Sequence, residues 1–432
     1  MNIAIIGAGW AGCAAAWQAH KLGYRATVFE AAPIIGGRAR KHSSQALGQI
    51  ADNGQHILLG AYQSTLALMR ELDLEPKQHF HRFDLDISSM KADFCFRTAA
   101  LPAPWHLLGA PFRSRGVKFS EFLQLQQLQR YLKKQRWQVQ PGTTVAELLQ
   151  QTGQSTRLTQ KLWHPLCVAA LNTPIEQACA QLFAHVLRDS LGADRSATQM
   201  LIPLRNMSDL WPQRALQHAH IHTRHPIRAV QRQGQQYLLD GQPFDGVIIA
   251  TNAPSAYRLL QSLDTEKQKP GFVNQIATLD YNPIATLYLK PEKPWENPHV
   301  MRMLDEDLHG LAAGQWVFNH GALNNSELYP LIAVTISYAN RLQGHDKTEI
   351  ARAIIAQINH QSPWPLPTIT AFELITEKRA TFIAKPHLSR PHPQTPWPNV
   401  LLAGDWVHND YPAVLEGAVR SGIMAAKALQ PH

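Results

Sequence analysis

Gly7, Gly9 and Gly12, set in NIAIIGAGWAG at residues 2 to 12, are spaced to bring a backbone against a phosphate, and Glu30 is placed to bind a ribose. Residues 3 to 6 supply a short buried strand, and the turn through Gly7, Ala8 and Gly9 feeds a helix that opens with Trp10 and Ala11. Each glycine has its own task. Gly7 permits the tight turn, Gly9 removes a Cβ that would hold a pyrophosphate away, and Gly12 lets helix and strand pack closely. The free amides of the helix start then face the phosphates. Glu30 closes a second strand, residues 26 to 29, where a carboxylate accepts from a ribose 2′-hydroxyl and repels a 2′-phosphate. Strand, turn, helix, strand and acid in this order predict an adenine dinucleotide, which a glycine-rich turn alone would not.

A second group of residues decides which dinucleotide. Gly36, Gly37 and Arg38 follow soon after the acid, and LLAGDWVHNDYPAVLEGAVRSG occupies residues 401 to 422. Both stretches resemble the GGR and C-terminal GD motifs of the flavoprotein superfamily of amine oxidases, protoporphyrinogen oxidases and carotenoid desaturases. The resemblance implies FAD. Residue chemistry agrees: residues 401 and 402 form a strand, and Gly404 lets Asp405 reach a sugar-like chain and accept from a ribityl hydroxyl. Glu416, Gly417 and Ala418 open a helix whose N-terminal amides suit the pyrimidine edge of a flavin and favour negative charge on its reduced ring. ADNGQH, residues 51 to 56, places Gly54, Gln55 and His56 in a glycine-containing turn expected at the flavin phosphates. The segment PIRAV, around Ile227, resembles the one whose backbone holds adenine in this superfamily.

These motifs lie at opposite ends of a 432-residue chain, so the cofactor domain must be discontinuous, with other domains inserted into it. The length and a hydrophobic content of 45% suit a large core and two or three domains. The expected class is α/β: a Rossmann-type FAD-binding domain, an inserted mixed α+β substrate domain and a helical subdomain. We divide the chain into FAD-binding parts at 1–74, 196–256 and 393–432, a helical insertion at 75–195 and a substrate domain at 257–392. Along the chain, residues 61 to 72, 155 to 171 and 174 to 187 read as helices, and Thr144 with Glu147 forms a capping box. PIRAV and residues 244 to 254 are expected to return to the cofactor sheet, and residues 281 to 289 and 331 to 339 alternate as substrate-domain strands. Residues 386 to 398 form a Pro-rich connection.

Cys13, Cys95, Cys167 and Cys179 show neither a paired motif nor metal spacing, so no metal is expected, and Cys13 reads as a packing residue. With no cysteine beyond Cys179, a C-terminal thiol attachment is ruled out and the FAD is expected to be non-covalent. The start of the chain lacks the charged, apolar and cleavable succession of a secretory signal, which points to a reducing, cytoplasmic setting.

WHPLCVAALNTP at 163 to 174, GQWVFNHG at 314 to 321, EKRATFIAKP at 377 to 386 and AGDWVHNDYPAVLEGAVRSG at 403 to 422 narrow the resemblance. They are similar to the hydroxysqualene dehydroxylases, and the similarity spans nearly the whole chain. One stretch departs from that pattern: His408, Asn409, Asp410 and Tyr411 stand where a different local sequence is expected. Membership implies reductive conversion of hydroxysqualene to squalene in a bacterial route to hopanoids. Losing an allylic hydroxyl as water leaves a delocalised cation that a flavin hydride can quench, so the protein must orient the carbon, supply a proton and exclude water. Candidate acids are His56, His164 and, beside the cofactor motif, His408 or Asp410. His56 has an equal claim to a structural role, His164 reads more readily as a core histidine, and Asn172 fits a helix-end carbonyl better than a substrate hydroxyl.

A substrate of about thirty carbons gains roughly 0.8 kcal/mol per methylene on leaving water, so it should be taken from a membrane. No apolar run reaches the 18 residues that would mark a candidate spanning helix. Residues 101 to 112, with Trp105 and Phe112 followed by Arg113, Arg115 and Lys118, instead read as an interfacial anchor on the inner face of the cell membrane. Lys133, Lys134 and Arg136 extend the basic character, and the net charge of +9 favours anionic lipid; no nucleic-acid motif accompanies it. The runner-up readings are a carotenoid desaturase or isomerase and a non-enzymatic prenyl-lipid carrier. With no second nucleotide fingerprint in the chain, the electron donor is left unidentified.

Overall fold

The computed structural model describes residues 1–99, 101, 109–264 and 268–431. Five strands, β1 (Asn2–Ile6), β2 (Arg25–Phe29), β3 (His220–His222), β4 (Gly246–Ile249) and β10 (Val400–Leu402), form one parallel sheet in the order β3-β2-β1-β4-β10. Strands of a parallel sheet are buried on both faces and read as continuous apolar runs. That is how Ile3 to Ile6 and Val247 to Ile249 stand here. Helix α1 (Trp10–Lys21) crosses from β1 towards β2, and α5 (Leu415–Ala428) packs on it. Their approach depends on Gly422, whose Cβ would lie 2.0 Å from the Ala11 carbonyl oxygen.

The remaining strands of the two main sheets lie between β4 and β10 in the chain, in the stretch expected to be the substrate domain. They are β5 (Tyr281–Pro291), β6 (Met301–Met303), β7 (Trp316–Asn319), β8 (Ile332–Ser337) and β9 (Ile369–Phe382), antiparallel in the order β6-β7-β8-β5-β9. The alternation expected from the sequence is present. Ala285, Leu287 and Leu289 of β5 pack with Ile350, Ile354 and Ile358 of the helix Lys347–Gln361, and Tyr288 faces the opposite core.

The insertion expected to be helical opens with strands. Phe80–Phe83 pairs with Met200–Pro203, which also pairs with Leu58–Leu59, and Asp86–Ser88 forms a hairpin with Cys95–Arg97. The physical signal is brief: the buried Leu85 and Ile87 alternate with the partly exposed Asp84 and Asp86, and Ser88, Ser89 and Met90 are then all buried. Helices follow as α2 (Phe119–Lys134), the capped helix Val145–Gln151, α3 (His164–Leu171) and α4 (Ala180–Asp189). The Thr144–Glu147 capping box forms, with the Thr144 amide 2.8 Å from Glu147 Oε2. A π turn, Thr159–Trp163, leads into α3, whose second residue, Pro165, has no amide to donate. Residues 174 to 179 are irregular, so α4 starts later than its sequence suggested.

PIRAV does not return to the cofactor sheet. The preceding segment does, as β3, and residues 225 to 230 run irregularly before a meander of Gln231–Gln233, Gln236–Leu239 and Gln242–Phe244. Pro226 lacks the amide that a ladder needs, which ends the strand before it. Ile227 is therefore a half-buried loop residue packed on the main core, and its backbone is not tied up in a sheet.

Candidate functional site

The first motif folds as a cradle. Gly7 adopts φ +106° and donates to the Phe29 carbonyl at 2.7 Å, tying the turn to the end of β2. At Gly12 a Cβ would sit 1.9 Å from Gly7 O, whereas at Gly9 the nearest atom is Gly37 Cα, 3.8 Å away. Gly12 thus serves packing and Gly9 leaves room. Gly36 N donates to Ala8 O at 2.8 Å, so the Gly36–Gly37 turn is docked on the first glycine loop. The first amide bonded within α1 is that of Cys13, to Gly9 O, which leaves the amides of Trp10, Ala11 and Gly12 for a phosphate. Trp10 contributes only that amide. Its indole is buried edge-to-face on Trp211, 4.9 Å between centroids. Cys13 is buried with its thiol on Ala8 O, as a packing residue. Glu30 accepts from the Ala8 amide at 2.7 Å and from the Ala32 amide at 2.8 Å, which fixes its carboxylate at the mouth of the cradle with lone pairs to spare for a ribose.

The two ends of the chain meet at Arg38. Its Nη2 lies 2.5 Å from Asp405 Oδ1 and its Nη1 donates to the Ala380 carbonyl. Gly404 holds φ +151° and donates to Ser421 Oγ at 2.8 Å, pinning the turn before Asp405 to α5. Tyr281, at the start of β5, has a buried hydroxyl with no hydrogen-bond partner among the described residues, and burial first, then the Asp405 charge, pushes its pKa up to about 12. His56 Nε2 is likewise buried and unpartnered; burial first, then the Arg38 charge, holds its pKa down to about 4. Polar atoms of this kind cost free energy unless something bonds them. Orphaned groups at His56 and Tyr281, the space at Gly9 and the unbonded amides of α1 together fit an adenine dinucleotide with a flavin end.

Glu416 is a different case from its neighbours. Its carboxylate is completely buried and accepts from the amides of Ser64 and Thr65, the Thr65 hydroxyl and Arg420 Nε. It caps the helix Gln63–Glu71 and offers nothing to a ligand through its side chain. The amide of Ala418 is bonded to Val414 O, so the amides left at the start of α5 are those of Leu415, Glu416 and Gly417.

Gln55 and His320 form a network that the sequence did not disclose. Gln55 Nε2 donates to His56 O at 2.9 Å, which turns Oε1 to His320 Nε2 at 2.8 Å. His320 Nε2 therefore carries the proton and Nδ1 accepts from Ser326 Oγ at 2.9 Å. Burial holds the His320 pKa down to about 4. Gln55 N also donates to Thr286 Oγ1, close beside Gly54, so β5 and the turn after β7 fix the segment that presents His56.

The other candidate acids lie apart from this cluster. Asp410 points its carboxylate at solvent, 3.8 Å from Arg188, and His408 is exposed. His164 sits 3.6 Å from Glu306, whose other oxygen is bound by Arg341, on the face of α3 next to the substrate sheet. Asn172 ends α3 at φ +48°, but its side chain serves the substrate sheet in place of a helix-end carbonyl. Its Nδ2 reaches Asn282 O and Thr381 Oγ1, and its Oδ1 accepts from Tyr338 N. It joins β5, β9 and the end of β8.

A cavity of about 140 Å³ lies in the helical insertion, between α2, the π turn with α3, and α4. Phe96, Phe122, Leu128, Trp163, Leu166 and Leu187 are among its walls, and its described lining includes Gln126 and Gln129 but no charged residue. Pro111 stands at one side, next to Phe112, which is 92% exposed; Phe119 and Leu123 of α2 are 73% and 52% exposed. Arg113, Arg115 and Lys118 are exposed among them. Trp105 lies outside the described residues. Helix α4 joins this cavity to the cofactor motif: Leu187 faces the cavity, His185 Nδ1 donates to Asp410 O at 2.9 Å, and Asp189 accepts from the Tyr411 hydroxyl at 2.6 Å.

Residues 10–430 match the model of the flavin-containing amine oxidoreductase family. Hydroxysqualene dehydroxylase from Zymomonas mobilis is 30% identical over 99% of both chains, and that from Rhodopseudomonas palustris is 28% identical over 98% of this chain and 97% of its own. An oxidoreductase structure from Methanosarcina mazei superposes with a TM-score of 0.73 at 15% identity, over 99% of this chain and 100% of the other. The glycine cradle, the Arg38–Asp405 closure and these similarities agree that the chain is an FAD-dependent oxidoreductase of the flavin-containing amine oxidoreductase family, in its hydroxysqualene dehydroxylase branch.

Proposed function

We propose that this enzyme removes the hydroxyl of hydroxysqualene to give squalene, drawing its substrate from an anionic membrane surface on the cytoplasmic side, with FAD held non-covalently. Bound reduced FAD supplies the hydride that replaces the departing hydroxyl, which leaves with one proton as water. The observation that carries the reading is the uncharged, apolar cavity set one helix away from the cofactor loop. Its walls fit a hydrocarbon chain and offer no counter-charge for an amine or an acid. Gly7, Gly9, the amides of α1 and Glu30 would hold the adenosine and pyrophosphate, and Arg38, Asp405, Tyr281 and the start of α5 the flavin half. His56 is neutral at neutral pH, so it offers the leaving hydroxyl a hydrogen bond and not a stored proton.

Phe112, Phe119 and Leu123 beside Arg113, Arg115 and Lys118 suit insertion at the lipid headgroup level, each base adding on the order of 1 kcal/mol near an anionic surface. No helix among the described residues is long and apolar enough to cross a membrane. The electron donor is unidentified. The deciding experiment is anaerobic mixing of chemically reduced enzyme with hydroxysqualene or phytoene. Stoichiometric squalene with reoxidation of the flavin is expected from the first and no reaction from the second; reoxidation without squalene would overturn the reading.

A further inference from the structure

Arg390 sits in the Pro-rich connection before β10, only 8% exposed, with its guanidinium over the Phe382 ring at 5.1 Å. Its Nη1 donates to Tyr411 O at 2.8 Å and to Asp405 O at 3.3 Å, and its Nη2 donates to Asn409 O. Three carbonyls of one loop thus converge on one side chain. Among the described residues Arg390 forms no ion pair, although burial brings its pKa down only to about 10 and it stays charged. A buried cation bonded only to carbonyls is poor value for stability. Its location gives it another use.

Most charges around this loop pair off: Arg188 meets Asp189 at 2.6 Å and lies 3.8 Å from the exposed carboxylate of Asp410. Arg38 and Asp405 neutralise each other at 2.5 Å, and Arg420 and Glu416 do so at 2.8 Å. Among the buried groups described, Arg390 and the unbonded amides at the start of α5 touch no carboxylate side chain, and the nearby Asp410 carboxylate faces solvent, where its charge is screened. A flavin that takes up two electrons and one proton becomes an anion, and a fixed positive charge in a low-dielectric site stabilises it without reorganisation.

We propose that Arg390 is a positioning residue of the flavin site: its fork shapes the Asp405–Tyr411 loop, and its charge favours the reduced over the oxidised cofactor. The proposal rests on where FAD binds and is independent of the isoprenoid substrate. The tests are Arg390→Met and Arg390→Lys in the holoenzyme, read by midpoint potential against a reference dye, by FAD dissociation, and by proteolysis of the loop in apo-protein. Arg390→Met should lose at least tenfold of the preference for reduced FAD, a fall of about 30 mV for a two-electron couple. Arg390→Lys should keep that preference within threefold while releasing FAD faster and exposing the loop, because an ammonium group does not match three carbonyls in a fixed fork. An unchanged potential in Arg390→Met would overturn the electrostatic role, and a loop as well protected in both variants as in the parent would overturn the fork. If Arg390→Met retains no FAD, a tenfold fall in Arg390→Lys would itself overturn the proposal, since the charge is still there.

Discussion

Arg38 and Asp405, 367 residues apart, are joined at 2.5 Å, and this contact closes the cofactor domain across everything inserted into it. Asp405 is almost fully buried and Arg38 about one-third exposed, at 35%. Asp405→Leu should therefore abolish flavin binding and cost about 2 kcal/mol, less than a fully buried pair because solvent screens the arginine. The double variant Arg38→Met/Asp405→Leu should regain much of the melting temperature but no flavin. Recovery of flavin in the double variant would show that the pair serves the fold alone.

Gly9 and Gly12 should fail differently. Gly9 has φ −72° and open space at its Cβ, so Gly9→Val should fold with a melting temperature close to that of parent apo-protein and purify without flavin absorbance. Gly12→Ala drives a methyl group into Gly7 O and should lose about 1–3 kcal/mol. Glu30→Ala frees the amides of Ala8 and Ala32 as well as the ribose and should also be colourless. A full, tightly held flavin complement in Gly9→Val or Glu30→Ala would displace the cradle.

For His56, the expected signature is kinetic. His56→Phe should slow single-turnover reoxidation of reduced flavin by hydroxysqualene at least tenfold, with partial recovery in His56→Gln, and the parent rate should be flat from pH 6 to 8. An inflection near pH 6.5 that disappears with His56 would mean that a stored proton is used after all. Asp410→Asn and His164→Gln are the comparators: a larger loss in either would move the chemistry to that residue.

Protonation also couples to stability. His56 and His320 have folded pKa values of about 4 against an ordinary 6.5, so their contribution is complete above pH 6.5 and is lost as pH falls towards 4, up to about 3 kcal/mol each. Asp52, pushed up to about 7 mainly by burial, acts in the opposite sense: its contribution is present at low pH and lost as pH rises through 7. Urea titrations of apo-protein between pH 7 and 4.5 should show net destabilisation on acidification, with His320→Gln flattening the slope by about one proton. An unaltered slope would mean that His320 is protonated when folded.

At the membrane, changing Arg113, Arg115 and Lys118 together to Glu should weaken binding to anionic liposomes by more than tenfold and reduce turnover of embedded substrate more than that of detergent-dispersed substrate. Added salt should diminish the difference. Parent-like liposome binding would place the lipid contact elsewhere.

The cradle was legible because glycine and acid positions are dictated by local backbone geometry, and the same holds for the Thr144–Glu147 box. Arg390, Tyr281 and His320 carried no such signal. Their surroundings come from tertiary packing, as Gln55 and His320 meet 265 positions apart and Arg390 reaches a loop 15 to 21 positions on. Phe80–Phe83 and the following hairpin were overlooked inside a helix-rich stretch because three- and four-residue strands give periodicity too little length. At Glu416 the sequence disclosed the helix start, but the task of the side chain, accepting from Ser64 and Thr65, follows only from tertiary contact.

Helix α4 has Leu187 in the apolar cavity and His185 and Asp189 on the loop that follows Asp405. Occupancy of the one and the electronic state of the other then draw on a shared wall. A ligand that binds differently according to the position of α4 changes the affinity of the loop for oxidised against reduced cofactor, and linkage requires the reverse by the same factor. Were α4 to hold two positions, substrate and product, which differ by one hydroxyl, would be told apart by the redox state of the enzyme.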